Sequence, residues 1–391
     1  MKRAFLSCVS LVVTVAVQAA QPCVQLPASL FHEVTSVFPE GVPEGAWISG
    51  SGKTLGILVP ELPKGHKLFL LRGEKIVSEL WLEAPTNPPF PRPPSFALVE
   101  DGDVAVLKVV NFFVVYVGAS LAGVVDGDNA QGVSVGGAKG SLCWTPSLPS
   151  VPWVFGKKEL LERAKEAELP ALLVCGELDG TGQQVLLRLD PRRLTEEDPE
   201  PLYQGLSVAA RADGKLWLVG RWTGDIMLVT TAGKILRHAK IPWTLKRPED
   251  DPETRAKMEQ EMLDESRTWF EEQRNKGKSD ATKRPPIKVE MRVKFKTPLF
   301  RREFARDRDL VLLMNTSDPP QGSLMLIRDG EETGTCFQLP RRLTATGQDL
   351  PRNLAVTRDA IWLLRPLGYL SWGEIEAFLE TDAAQARATN R

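Results

Sequence analysis

Short apolar runs separated by turn residues recur along most of this chain. They occupy 54–59, 68–71, 104–110, 112–117, 172–175, 185–189, 216–219, 226–230, 310–314, 324–327, 354–356 and 361–364. Residue pairs that favour tight turns lie between many of them, at Asp101-Gly102, Asp213-Gly214, Ala232-Gly233 and Asp329-Gly330. Many runs are apolar at every position, which is typical of strands buried on both faces. The pattern predicts an all-β chain whose sheets stack on one another.

Two stretches of the chain repeat each other. Residues 210–219, 225–229 and 232–234 of the first stretch correspond to 305–313, 323–327 and 329–331 of the second. In each, a turn leads into an apolar strand, a loop leads into a second strand, and a tight turn follows. Such self-similarity is the mark of a repeat architecture. It predicts the scaffold and does not identify a ligand.

The repeat resembles NHL-like repeats of six-bladed β-propellers from bacterial secreted proteins. The residues that carry the resemblance are 213–219, 224–229 and 232–236. The fit is good over 205–242 and 303–340, thinner over 94–127, 171–193 and 352–365, and weak over 41–83. The resemblance implies one propeller of about six four-stranded blades. It implies no particular activity, because propellers serve many functions.

A second similarity concerns the two ends of the chain. Residues 23–27 (CVQLP) copy residues 336–340 (CFQLP), which we expect to form the outer strand of a blade. The last unit, 354–364, lacks sequence for an outer strand. We therefore predict that the N-terminal segment supplies that strand and closes the ring, which removes exposed sheet edges. Cys23 and Cys336 then occupy equivalent places on different blades, an argument against their pairing with each other.

The first residues predict export from the cytoplasm. A positive start, Met1-Lys2-Arg3, precedes an apolar stretch over 4–17 and small residues near Ala19, so 1–19 reads as a signal peptide. A retained N-terminal anchor is the alternative. The mature chain, 20–391, keeps four cysteines, Cys23, Cys143, Cys175 and Cys336. Disulfides with three connectivities, or buried free thiols, are all compatible with that count.

One predicted insertion interrupts the repeats at 246–286. Asp251-Pro252-Glu253 is a favourable helix start, with an acidic N-cap and a proline in the first turn. Apolar residues then recur at helical spacing, at Met258, Met262, Trp269 and Phe270. We interpret this as a surface helix over 251–277 that packs on the propeller; a partner-binding arm is the alternative. A second helix with a polar tail is predicted at 372–391, and the proline-rich 85–94 is predicted to link the first two blades.

Motifs that suggest chemistry are each incomplete. Gly50–Thr54 resembles the end of a phosphate-binding loop around Lys53, but Trp47 occupies the required glycine position and a strand follows. Gly132–Gly136 matches a serine-hydrolase elbow around Ser134 without the helix that should follow it. Asp126 and Asp128 begin a calcium-loop pattern that does not continue. We predict turns or loops at all three, with no catalytic residue, no bound metal and no cofactor.

The predicted function is a non-catalytic secreted or periplasmic binding or scaffold module that acts through loops on one face of the disc. Arg221, Trp222 and Asp225, on the loop of the best-defined repeat, are the candidate ligand-binding residues by position alone. A protein or a carbohydrate is the expected ligand, and a monomer the expected state. The formal net charge of −1 argues against a nucleic-acid partner, and no later segment could span a membrane.

Two alternative functions fit the same scaffold. One is a propeller enzyme, a hydrolase or lyase that could depend on calcium, with its site at the central channel. Its acids would come from several blades and leave no local motif. The other is a structural subunit of a cell-envelope complex that docks through the 251–277 helix.

Overall fold

The structure is a computed structural model that describes residues 23–61, 64–84, 95–109, 112–126, 140–146, 171–188, 206–221, 223–241, 251–257, 260–261, 264, 268, 299–315, 322–331, 334–344 and 350–389. In this part of the chain, strands β1 to β24 form six separate sheets that follow one another along the sequence. The innermost strands of neighbouring sheets contact each other around a central axis. The chain is therefore a six-bladed β-propeller, and the predicted fold is confirmed.

Two short strands, β1 (Val24–Gln25) and β2 (Phe31–Glu33), precede the blades. Blade 1 contains β3 (Trp47–Ser51), β4 (Thr54–Glu61), β5 (Gly65–Arg72) and β6 (Lys75–Glu83). Blade 2 contains β7 (Ser95–Val99), β8 (Val104–Val109), β9 (Phe112–Val117) and β10 (Ser120–Asp126). Blade 3 shows β11 (Ser141–Trp144), β12 (Ala171–Glu177) and β13 (Gln184–Arg188) within the described ranges.

The second half of the ring follows the same plan. Blade 4 contains β14 (Leu206–Ala210), β15 (Leu216–Gly220), β16 (Asp225–Val229) and β17 (Ile235–Lys240). Blade 5 contains β18 (Phe300–Arg306), β19 (Asp309–Met314), β20 (Ser323–Ile327) and β21 (Thr335–Gln338). Blade 6 contains β22 (Leu354–Val356), β23 (Ala360–Leu364) and β24 (Leu367–Ser371), to which β2 adds a fourth strand.

Helices are few in the described part. Short helices α1 (Arg341–Thr344) and α2 (Leu350–Asn353) precede blade 6, and α3 (Trp372–Thr389) follows it. Between blades 4 and 5 the backbone is helical at 252–257, and the Asp251 carboxylate accepts a hydrogen bond from the Thr254 amide at 2.8 Å, as the predicted N-cap requires. The apolar positions of that predicted helix, and the proline-rich 85–94, lie outside the described residues. No helix among the described residues is long and apolar enough to cross a membrane.

The blades stack because each sheet buries both of its faces. In blade 4, Leu216 and Leu218 pack toward blade 3, whereas Trp217 and Val219 pack toward blade 5. Trp217 is 1% exposed, and Trp362 of blade 6 is 3% exposed, which confirms that both tryptophans pack between blades. Burial of each such large apolar side chain contributes about 1.5–3 kcal/mol. The uninterrupted apolar runs of the sequence are thus explained by contacts on two sides of every blade.

The N-terminal segment closes the ring, but not with the residues predicted. Strand β2 pairs antiparallel with β24, with Phe31 opposite Leu370, and becomes the outer strand of blade 6. Residues 23–27 instead place β1 beside β21 in parallel, as a fifth strand of blade 5, with Val24 opposite Phe337. The two similar segments are therefore direct neighbours.

Because residues 23–27 and 336–340 lie side by side, the prediction about their cysteines has to be corrected. Cys23 is bonded to Cys336, so the argument against this pair was wrong: it assumed separate blades for two segments that lie side by side. Cys143 is bonded to Cys175, its register partner on the adjacent strand of blade 3. Cys23, Cys143, Cys175 and Cys336 are therefore all in disulfides, and the alternative of buried free thiols is wrong for these four residues.

One face of the disc carries the tight turns between the first and second strands of the blades, and we call it the turn face. Hydrogen bonds join the turns of neighbouring blades on this face. The Ala212 amide donates to the Asp307 carbonyl at 2.9 Å, and the Arg358 amide donates to the Gly52 carbonyl at 2.6 Å. The Lys53 amide donates to the Asp101 carboxylate at 2.7 Å. Lys53 thus lies in a structural turn, as predicted, and not in a phosphate-binding loop.

A buried arginine reinforces the turn face between blades 4 and 5. The guanidinium of Arg211, whose side chain is 1% exposed, binds Asp213 at 2.9 Å and Asp329 at 2.9 Å. Burial alone would raise the pKa of Asp213, but hydrogen bonds from Arg211 and Lys215 lower it to about 2. Arg211 belongs to the first repeat and Asp329 to the second, so this ion pair connects the two most similar units.

We expect the two disulfides to differ in their effect on stability. Cys23 and Cys336 are 313 positions apart, whereas Cys143 and Cys175 are 32 apart. Because a longer closed loop restricts the unfolded chain more, the double variant C23A/C336A should lose roughly 2 kcal/mol more free energy of unfolding than C143A/C175A. Denaturant unfolding of both variants under non-reducing conditions, which keep the remaining disulfide of each variant intact, measures the difference. Equal losses would contradict the view that the terminal disulfide holds the ring closed.

Candidate functional site

The opposite face of the disc carries the loops between second and third strands and the connections between blades, and we call it the loop face. Of the predicted site residues, Arg221 begins the loop that joins β15 to β16 on this face, and Asp225 is the first residue of β16. The loop is tightly built: a Cβ on Gly220 would lie 2.4 Å from the Thr223 Oγ1, so no larger residue fits there. The Ile241 amide also donates to the Gly224 carbonyl at 3.0 Å. The loop therefore holds Arg221 in a fixed position.

Arg221 spans the boundary between blades 4 and 5. Its Nη2 lies 3.2 Å from Oε2 and 3.5 Å from Oε1 of Glu303, a buried residue on the first strand of blade 5. Its carbonyl accepts a hydrogen bond from the Leu299 amide at 2.6 Å, where the chain enters blade 5. The Nε of Arg221 is buried and has no hydrogen-bond partner among the described residues. One donor of the guanidinium is thus left unused.

A second cation, Lys108, comes from blade 2. It lies near the loop-face end of the second strand β8, opposite Ser95 and Phe113. The ammonium forms no hydrogen bond and no ion pair within the described ranges. Burial, and then the positive charge of Arg221, lower its pKa to about 8. The positive charge of Arg221 thus acts on Lys108, which comes from a different blade.

Asp225 has a different environment from Arg221. Its Oδ1 lies 3.0 Å from Nε2 of His238 on the outer strand of the same blade. Burial alone would raise the pKa of Asp225, but hydrogen bonds with His238 and Thr223 lower it. Arg221 engages blade 5, whereas Asp225 stays within blade 4, so the two predicted residues have separate partners. Trp222, the third, lies outside the described residues, and a shared role for the three remains a prediction.

Sequence reasoning missed Lys108 and Glu303. Glu303 is 82 positions from Arg221, and no local motif can connect residues from different blades. A usable signal existed for Lys108, because it interrupts the apolar run 104–110, which otherwise predicts a strand buried on both faces. A charge at such a position indicates either a buried ion pair or a functional group.

Other candidate residues within the described ranges do not lie at this site. His66 is fully buried, and burial lowers its pKa to about 4. His32 contacts Glu374 at 2.8 Å on the far side of the ring. Ser134 and Asp128 lie outside the described residues. In the described part, no group of histidine, cysteine, aspartate and glutamate side chains could hold a metal ion.

Comparisons with known proteins do not assign the chain to a family. No protein-family model matches it, and no curated protein matches it. Among solved structures, a member of the DUF4221 family from Bacteroides vulgatus is 9% identical over 85% of this chain and 94% of that chain, with a TM-score of 0.47. These distances are large, so the fold assignment rests on the strand topology of the chain itself.

Two further solved structures are proteins of known activity. A catalytically inactive virginiamycin B lyase from Staphylococcus aureus, solved with quinupristin, is 13% identical over 83% of this chain and 80% of that chain, with a TM-score of 0.38. A prolyl endopeptidase is 11% identical over 73% of this chain, with a TM-score of 0.36. This chain spans 35% of the length of that endopeptidase. At such identities the likeness concerns the fold alone.

Lys108 should destabilise the folded protein at neutral pH. Below pH 8 its ammonium is charged in both states, and the folded chain bears the full desolvation of an unpaired cation. Between about pH 8 and its ordinary pKa of 10.5, the unfolded chain retains a proton that the folded chain has lost, so stability rises with pH. K108M, which keeps the length of the side chain, should raise the Tm at pH 7 by roughly 2 °C.

Thermal unfolding of wild type and K108M from pH 6 to pH 11 tests this expectation. The advantage of K108M should shrink as the pH rises above 8. K240M is a suitable control, because Lys240 is an exposed lysine at the end of an outer strand of the same face. A K108M protein less stable than wild type at pH 7 would show that Lys108 has a stabilising partner.

Proposed function

We propose that this protein is a non-catalytic binding module that acts outside the cytoplasm and receives its ligand at the loop-face end of the central channel. The observation that carries the proposal is a set of unused cationic donors on the loop face: the buried Nε of Arg221 has no hydrogen-bond partner among the described residues, and the ammonium of Lys108 forms no ion pair with them. Side chains from several blades meet only around the axis of a propeller. A ligand there is held by several blades at once.

The difference between the two faces supports this assignment. At the turn face, backbone amides and ion pairs such as Arg211 with Asp329 join neighbouring blades, so the polar groups are already used. At the loop face, the ion pair of Arg221 with Glu303 also joins blades 4 and 5, but the Nε of Arg221 and the ammonium of Lys108 have no partner among the described residues. Binding at the loop face would use the donors that these contacts between blades leave free.

The ionisation of the carboxyl groups supports binding over acid–base catalysis. In the described part, every carboxyl group with a resolved shift has a lowered pKa: Asp179, Asp213, Asp225 and Asp329. Such groups are ionised acceptors at neutral pH. A general acid needs the opposite environment, in which burial raises the pKa.

The compartment follows from the cysteines. Two disulfides, Cys23–Cys336 and Cys143–Cys175, indicate an oxidising extracytoplasmic environment. Removal of residues 1–19 as a signal peptide fits that environment. The mature chain then acts as a monomer in the periplasm or outside the cell.

A blocking experiment tests the position of the site. Because all four mature cysteines are in disulfides, T223C on the loop face and K53C on the turn face each introduce one free thiol for attachment of a maleimide-linked polyethylene glycol. We would measure the Tm of each conjugate with monosaccharides, neutral peptides and organic acids. Stabilisation by a probe should disappear in the T223C conjugate and persist in the K53C conjugate.

The non-catalytic part of the proposal needs its own measurement. The stabilising probe is incubated with wild-type protein and recovered, and mass spectrometry should find it chemically unchanged. Conversion of the probe would favour an enzyme. Stabilisation that survives the T223C block, or no stabilisation by any class of probe, would refute a ligand site at the loop face.

A further inference from the structure

We propose that β17 (Ile235–Lys240), the outer strand of blade 4, binds an extended acidic segment of a partner protein, which adds to the blade as a fifth strand. This surface lies on the rim of the disc, outside the central channel, so the inference goes beyond the proposed function. Its basis is an open sheet edge, a row of exposed side chains along that edge, and an excess of positive charge there.

Blade 5 shows that an outer strand of this propeller can receive a fifth strand. There β1 pairs in parallel with β21, and the Leu26 amide donates to the Gln338 carbonyl at 3.0 Å. Blades 4 and 5 are the units whose sequences repeat each other, so β17 is the counterpart of β21. Among the described strands, only β16 pairs with β17. The backbone N–H and C=O groups along the outer edge of β17 are therefore positioned to pair with an added strand.

Side chains are exposed at every second position along this edge. Lys234, Leu236, His238 and Lys240 are exposed, and the residues between them are only partly exposed. Leu236 is 43% exposed and offers an apolar contact between the charged positions. An added strand is recognised through side chains at alternate positions. The strand itself spans about 20 Å, which suits a partner segment of similar length.

The charge along this edge favours an acidic segment. The ammonium groups of Lys234 and Lys240 form no hydrogen bond or salt bridge with the described residues. Asp225 is opposite Lys240 on β16, but its carboxylate Oδ1 already lies 3.0 Å from Nε2 of His238. Two lysines are thus accompanied by one shared carboxylate. Acidic side chains on an added strand would lie beside the lysines, and cross-strand pairs of opposite charge are favourable.

Other outer strands with an open edge in the described part have a different charge pattern. Strand β6 mixes Lys75 with Glu79 and Glu83, β10 has the single acid Asp126, and β13 has the single cation Arg188. Pairing of β17 with β17 of a second copy would bring lysines together, which is unfavourable. An acidic segment of a different protein is therefore the occupant that fits this edge.

Fluorescence anisotropy with labelled peptides tests the inference. The probe is a short peptide of alternating glutamate and valine, blocked at both ends, and wild-type protein should bind it. Two matched peptides should bind about tenfold more weakly: one with glutamine in place of glutamate, and one with every backbone amide N-methylated. Equal affinity for the glutamine peptide would refute recognition by charge. Equal affinity for the N-methylated peptide would refute strand addition, and no binding of the glutamate peptide would refute the proposal as a whole.

A charge exchange assigns the binding to β17. K234E/K240E should weaken binding of the glutamate peptide by about tenfold and should bind a peptide of alternating lysine and valine instead. This gain of binding cannot arise from misfolding. The double variant K53E/K75E makes the same charge change at exposed lysines of the turn face and of blade 1, and it should leave both affinities nearly unchanged.

Hydrogen exchange locates the bound segment. The glutamate peptide should slow exchange of the backbone amides of 235–240 in wild-type protein and leave those of β6 unaffected. Protection confined to other strands would overturn the assignment to blade 4. Unchanged affinity for the glutamate peptide in K234E/K240E would do the same.

Discussion

Each blade of this protein is a sheet with two apolar faces, and neither face can be left exposed to water. A sheet of this kind needs a neighbour on each side, and the neighbour has the same need. A linear array would leave two open apolar faces at its ends, whereas a ring leaves none. Closure is therefore the condition on which every other contact depends. The chain meets it with its N-terminal segment: β2 completes blade 6, and β1 and the Cys23–Cys336 disulfide attach the same segment to blade 5.

The ring divides polar groups between its two faces. Tight turns at the turn face place backbone amides and carbonyls of adjacent blades within hydrogen-bond distance, as at Ala212 and Asp307. The first strands also approach closely there: a Cβ on Gly50 of blade 1 would lie 2.2 Å from the Val356 carbonyl of blade 6. At the loop face, blades 4 and 5 are joined through Arg221 instead: its carbonyl accepts a hydrogen bond from the Leu299 amide at 2.6 Å, and its guanidinium binds Glu303.

Sequence patterns predict the features that depend on residues close together in the chain, and they miss those that depend on residues far apart in the chain. The strands, the repeat of blades 4 and 5 and the N-cap at Asp251 depend on neighbours within a few positions, and local patterns predict them. The partner of Cys23 depends on which blade receives residues 23–27, and similarity to 336–340 was compatible with two placements. Burial of Glu303 against Arg221 depends on the angle between blades, which no local pattern encodes. Lys108 was detectable as a charge in an apolar run, and Arg221 was predicted by its position, but the electrostatic effect of Arg221 on Lys108 was not predictable.

An unpaired, half-buried ammonium lowers the free energy of unfolding. Two simple substitutions would remove this loss of stability. A leucine or methionine at 108 would continue the apolar run 104–110 and pack with the strand. An acid in blade 3 or 4 would neutralise the charge, as Asp213 and Asp329 do for Arg211 at the turn face. The described residues use neither solution at Lys108, although the chain uses the second elsewhere. Within the described residues no acid compensates the charge of Lys108, and the packing of the fold gives no reason for a lysine at this position.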